Sequence, residues 1–175
     1  MPEEIELDPV DIITADAIGK PGERVFYIQA RKDAEVITLV LEKIQLQSFT
    51  MGVEQFLKEI LERFPNLEEA SPDFNEADMH ISPPVDPLFH IGDFGLGYDT
   101  DRDLAVMVAR QITMEEERAN EAMVARFWCT RSQLNALAIW SHHVINQGRP
   151  ICPQCGEPMN PEGHFCPKKN GHKKH

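Results

Sequence analysis

A chain of 175 residues is long enough for one α+β domain that buries its own core, plus a short appendage, and too short for two ordinary domains. The net charge is −12; residues 149–175 carry five Lys or Arg against two Asp or Glu, which leaves −15 on residues 1–148. An acidic body of this kind repels phosphate backbones and disfavours nucleic acid as a partner. There is no run of about 18 apolar residues, and the start Met1-Pro2-Glu3-Glu4 lacks the basic and apolar regions of a signal peptide. These features point to a soluble, cytoplasmic protein without a membrane partner.

In chain order, Ile12 to Ala17 lead into the turn Gly19-Lys20-Pro21-Gly22, and Val25-Phe26-Tyr27-Ile28 lead out of it, the pattern of a β-hairpin. After a turn at Asp33-Ala34, the β-branched run Val36 to Leu41 reads as a largely buried strand. From Lys43 the period changes. Phe49, Val53, Phe56, Leu57, Ile60, Leu61 and Phe64 share one helical face, and Pro65 stops the helix. Residues 65–88 contain five prolines and six Asp or Glu with no Lys or Arg, so they read as a long acidic connector that resists both regular structure and core burial.

A strand from Phe89 to Leu96, a turn around Gly97 to Asp101 and a strand from Leu104 to Val108 follow, with another strand near Met123 to Cys129. Thr130-Arg131-Ser132-Gln133 has the form of a capping box, so a second helix starts there and ends at Gly148, before Pro150. The halves repeat one order of elements. Val25 to Arg31 lies over Leu104 to Arg110 at an offset of 79, and Leu41 to Gln45 over Cys129 to Gln133 at an offset of 88. An internal pseudo-repeat would place both helices on one side of a mostly antiparallel sheet, although two unrelated βββα units would look alike at this identity. The fold expected is therefore α+β, with a mostly antiparallel sheet from two βββα-like halves and two helices, plus a C-terminal zinc knuckle. The core domain spans residues 1–148 with its connector at 65–88, and the tail spans 149–175. Phe49, Val53, Phe56, Leu57, Ile60, Leu134, Leu137 and Ile145 are the expected helix contribution to the core.

The tail carries the clearest chemistry. Cys152 and Cys155 can reach one ion from a tight turn, Gly156 lets the chain double back, and His164 and Cys166 supply a nitrogen and a third sulfur. Four ligands close a tetrahedron, so the zinc would be structural. A redox dithiol or plain free cysteines are the alternatives, but a redox pair usually opens a helix within a βαβ unit, and that pattern is missing here. His172 is the rival fourth ligand, set in a Lys-rich end.

Other motifs have plainer readings. Gly92, Gly95 and Gly97 precede a turn and strand rather than a helix N-terminus, so they read as turn glycines and not as a phosphate loop. His142 and His143 sit near the end of the second helix, where an imidazolium complements the dipole. Cys129 reads as a buried small hydrophobe. Arg24, Arg31, Glu42 and Lys43, placed near strand ends, are the candidates for ligand binding.

Gly19-x-Pro21-Gly22-x-Arg24-x-Phe26, Leu41-Glu42-Lys43-x-Gln45, Gly92 through Asp99, and above all Gly148-Arg149-Pro150-x-Cys152-Pro153-x-Cys155-Gly156 with Gly163-His164-x-Cys166-Pro167 make the chain resemble a bacterial family, conserved domain of unknown function number three thousand and ninety. The resemblance covers nearly the whole chain and implies no reaction or substrate. Family members resemble products of gene clusters that also encode a histidine-phosphatase-like and a kinase-like protein, which hints at a phosphate-linked pathway. His172 stands where the family pattern has an aromatic residue, which favours His164 as the ligand. The leading functional reading is a non-enzymatic adaptor that binds a protein partner. The alternative is an enzyme or small-ligand binder acting on a phosphorylated or nucleotide compound.

Overall fold

A computed structural model describes residues 3–20, 22–113 and 121–147. The elements are β1 (Glu4–Leu7), β2 (Ile12–Ile18), β3 (Val25–Lys32), β4 (Glu35–Leu41), α1 (Lys43–Arg63), β5 (Pro87–Asp99), β6 (Leu104–Gln111), β7 (Val124–Cys129) and α2 (Arg131–Gln147), with a 3₁₀ turn at Glu76–Met79. The fold is α+β. One seven-stranded sheet runs in the order β1-β7-β6-β5-β4-β3-β2, mostly antiparallel, and the two helices pack against each other over a shared core.

After β1, the chain makes three strands and a helix, then three strands and a helix again, and the two sets lie side by side in the sheet. Their joints are the parallel ones: β4 pairs with β5, and β7 with β1. The pairing registers correspond as well. Phe26 pairs with Leu41 and Ile28 with Leu39, while Ala105 pairs with Cys129 and Met107 with Phe127. The offsets of 79 and 88 carry the first two pairs onto the second two.

Both helices begin with the same device. Gln45 Oε1 accepts from the Glu42 amide at 2.7 Å, and Gln133 Oε1 accepts from the Thr130 amide at 2.8 Å. The Thr130 hydroxyl in turn accepts from the Gln133 amide at 3.0 Å, completing the expected capping box. Each glutamine then spends its Nε2 on the strand lying parallel to its own. Gln45 donates to the carbonyls of Ile91 and Gly92, and Gln133 to those of Val10 and Asp11, just beyond β1. β1 thus stands to the second half as β5 stands to the first.

Strand alternation sends one set of residues into the core. Ala15, Ile28, Leu39 and Phe89 form one cross-strand row and Met107, Phe127 and Leu7 another, all buried. All of the helix residues expected in the core are buried except Phe56, which packs partly buried against it. Burying side chains of this size is worth about 1.5–3 kcal/mol each.

β1 was not visible in the sequence pattern, and it changes the shape of the sheet. β1 and β2 are opposite edges, yet only Asp8 to Asp11 join them. The Val10 amide donates to Trp128 O on β7, and the Asp11 amide to Arg31 O on β3. The sheet must therefore curl until its edges approach. Arg102 pins the junction by pairing with Asp8 and lying over the Trp128 ring.

The connector also differs from expectation. It lacks strands and α-helix until β5 opens at Pro87, but it does not avoid the core, because Met79 is 5 % exposed and belongs to the central cluster. Its backbone provides the reason. Met79 O accepts from the buried Thr14 hydroxyl, Ser82 O accepts from Gln29 Nε2, and the Ser82 amide donates to Gln29 Oε1 at 2.8 Å. The main chain satisfies polar side chains on the sheet that would otherwise be buried without partners.

The glycine-rich segment is strand rather than turn: β5 runs through it to Asp99. Gly92 sits where the β5–β6 register shifts, and a Cβ there would lie 2.9 Å from Ile112 Cα, so the close approach requires glycine.

Candidate functional site

The last β3–β4 pair is Phe26 with Leu41, and beyond it the chains part: one runs back to the Gly19–Gly22 turn and the other enters α1. The space between them is a cleft of about 380 Å³ lined by Gly22, Arg24, Val25, Phe26, Leu41, Glu42 and Lys43. Gly22 has φ +87°, a conformation that side-chain-bearing residues rarely adopt, and so helps to set the rim.

Three of the four nominated residues meet here. Arg24 lies 4.7 Å above the Phe26 ring and donates through Nη1 to Val144 O at 2.9 Å and through Nη2 to Ile145 O at 3.3 Å. It thereby caps free carbonyls in the last turn of α2, where a cation is favoured. Burial holds its guanidinium below the ordinary value, with the Asp16 charge opposing. Glu42 Oε2 lies 3.4 Å from His90 Nε2. Lys43 is exposed and has no ion-pair partner among the described residues.

Arg31 is not part of this group. It sits toward the other end of β3, where Nη1 donates to Ser82 Oγ and Nη2 to Asp78 O, both at 2.8 Å. Seven residues of strand separate it from Arg24, about 23 Å. Arg24 precedes and Arg31 lies near the end of one and the same strand, so grouping them overlooked that they flank it at opposite ends. Arg31 fastens the connector.

The corresponding place in the second half is filled. Arg131 Nε and Nη2 donate to the Asp103 carboxylate at 2.7 and 3.1 Å, and Nη1 to Glu68 O at 2.6 Å. Tyr98 donates its hydroxyl proton to Asp103 Oδ1 at 2.7 Å. The hydrogen bond from Arg131, joined by that of Tyr98, holds Asp103 below the usual carboxylate range. Sequence reading missed this network. Its one signal is that positions 103 and 131 have opposite charges at the 79 and 88 offsets.

Cys129 is fully buried, and burial pushes its thiol up to about 12, as befits a core residue rather than a nucleophile. His142 Nε2 lies 2.6 Å from Glu54 Oε1 of α1, whereas the His143 ring lies 5.0 Å from that of Trp140, so the adjacent histidines face different neighbours. Cys152, Cys155, His164, Cys166 and His172 lie outside the described residues.

A family model described as "Protein of unknown function (DUF3090)" matches residues 5–166. The chain belongs to that family. The matched span includes the cleft, both halves of the sheet and the tail as far as Cys166. No curated protein and no solved structure matches the chain. No helix of the described residues is long and apolar enough to cross a membrane.

Proposed function

We propose that this protein is a non-enzymatic binding module, in which a structural zinc knuckle made by Cys152, Cys155, His164 and Cys166 anchors the tail and the cleft beside α1 receives the partner. One observation supports the cleft most. Arg24, Glu42 and Lys43 gather over an apolar floor of Phe26 and Leu41, with Arg24 turned to backbone carbonyls and Glu42 to an imidazole. That arrangement suits recognition; it does not pair a nucleophile with a base.

The zinc knuckle rests on its donor set, three thiolates and one imidazole, which matches the preference of zinc and leaves no open position. Elemental analysis of protein purified without chelators should give about one zinc per chain. Cys155→Ser should release it and leave the unfolding transition of the body in place, because the body has its own core. Zinc-free protein, or a stable Cys152–Cys155 disulfide, would overturn this part.

A second reading is an enzyme or small-ligand binder acting on a phosphorylated or nucleotide compound. It draws on the two cations Arg24 and Lys43 at one cleft. Mass spectrometry of material that co-purifies with the full chain separates the two: a stoichiometric protein lost in Lys43→Ala supports the module, and a turned-over small molecule supports the enzyme. We also infer that the halves descend from one βββα unit, a reading supported by their shared registers and shared capping glutamines.

A further inference from the structure

The filled junction of the second half suggests what the open one accepts. The offset of 79 carries Arg24 onto Asp103, and the offset of 88 carries Lys43 onto Arg131; these are the offsets that superpose the pairing of Phe26 with Leu41 on that of Ala105 with Cys129. In the second half, the cation after the strand grips a carboxylate supplied by the chain, with a tyrosine hydroxyl as third donor. In the first half, the cation is kept as Lys43, Arg24 stands at the position of Asp103, and among the described residues a cleft lies at the junction.

We propose that the cleft binds an oxoanion, a phosphate or carboxylate group of the ligand, in the position that the Asp103 carboxylate holds in the other half. The proposal rests on the reading of the cleft as the recognition site and specifies the chemistry recognised there. Lys43 supplies one set of donors. Arg24 supplies another, since a guanidinium has five N–H groups and, among the described residues, two of them are used, on the Val144 and Ile145 carbonyls. Those carbonyl bonds also fix the guanidinium in place before a ligand arrives, which lowers the ordering cost of binding. Phe26 lies beneath it. With Arg24, Lys43 and Glu42 on the lining, the formal charge is +1, which suits one oxoanion better than a polyphosphate chain.

The test is an amide NMR titration of the full chain with sodium phosphate and, separately, sodium acetate, with sodium chloride at matched ionic strength as control. Saturable shifts at Gly22, Arg24, Lys43 and Ile44 in the phosphate or the acetate arm are expected, and the stronger arm identifies the group. Lys43→Ala should weaken binding by about fivefold or more, as loss of a charge-assisted bond implies, and Lys43→Arg should retain it. Equal shifts with chloride, or an affinity unchanged in Lys43→Ala, overturn the proposal. If Lys43→Ala abolishes capture of a co-purifying protein while neither anion shifts these amides, the oxoanion is overturned and the cleft still stands as the recognition site.

Discussion

The two strand-to-helix junctions have the same backbone plan and opposite contents. At the start of α2, Arg131 and Asp103 neutralise each other in a partly buried contact that also holds Glu68 of the connector. At the start of α1, the matching positions hold two cations, one capping α2 and one in solvent. Under the proposed function, the difference separates structural from recognition chemistry. Arg131 meets a carboxylate of its own chain, whereas Lys43 has no ion-pair partner among the described residues.

The largest effect expected tests whether the halves are one thermodynamic body. Phe127 and its counterpart Leu39 are both fully buried in one cluster. Phe127→Ala should cost about 3–5 kcal/mol, and urea unfolding followed by two probes should remain one transition. Two separated transitions would show that the halves fold independently. At the junctions, Arg131→Ala should cost about 2–3 kcal/mol, since it removes three hydrogen bonds, and Lys43→Ala less than about 0.5 kcal/mol. Equal costs would erase the contrast between filled and open.

The capping glutamines offer a finer comparison: Gln45→Ala and Gln133→Ala should each cost about 1 kcal/mol and agree within about 0.5, because each removes the same three contacts, one to the cap amide and two to strand carbonyls. Smallest is the acid response. Asp103 and Asp8 are both held below the ordinary value of 3.8, each chiefly by an arginine hydrogen bond. Their contribution is therefore present above about pH 4 and is lost as pH falls through their lower folded values. Asp103→Asn should flatten the stability profile between pH 4 and 2, where the wild-type chain loses stability; an unchanged slope would mean that Asp103 does not titrate with folding.

Much of the fold was legible because its signals are local. The hairpin around Gly19–Gly22, the buried strand before Glu42, the period of α1 and the box at Thr130 all lie within a few neighbouring residues, and each element formed there. What escaped depends on distant partners. Glu4-Ile5-Glu6-Leu7 is too short and too acidic to announce a strand, and it becomes one only because β7 offers an edge. The connector packs through its main-chain groups, to which a hydropathy pattern is blind. Of the candidate site, Arg24, Glu42 and Lys43 could be nominated from their places beside strand ends, and the separation of Arg31 was legible too, because it lies seven residues after Arg24 along one strand.

The pairing of β1 with β7 joins residues 4–7 to residues 124–127. During synthesis at about 5–20 residues per second, the first strand thus waits roughly 6–24 s before its partner exists. For that interval Leu7 has no Phe127 beside it, and the closing segment at Asp8 to Asp11 cannot make its bond to Trp128. β1 is made long before its partner strand and is among the last elements to find its place, and contacts so distant in sequence slow folding. A nascent chain stalled before residue 124 should expose residues 3–11 to protease, and extension past Cys129 should protect them.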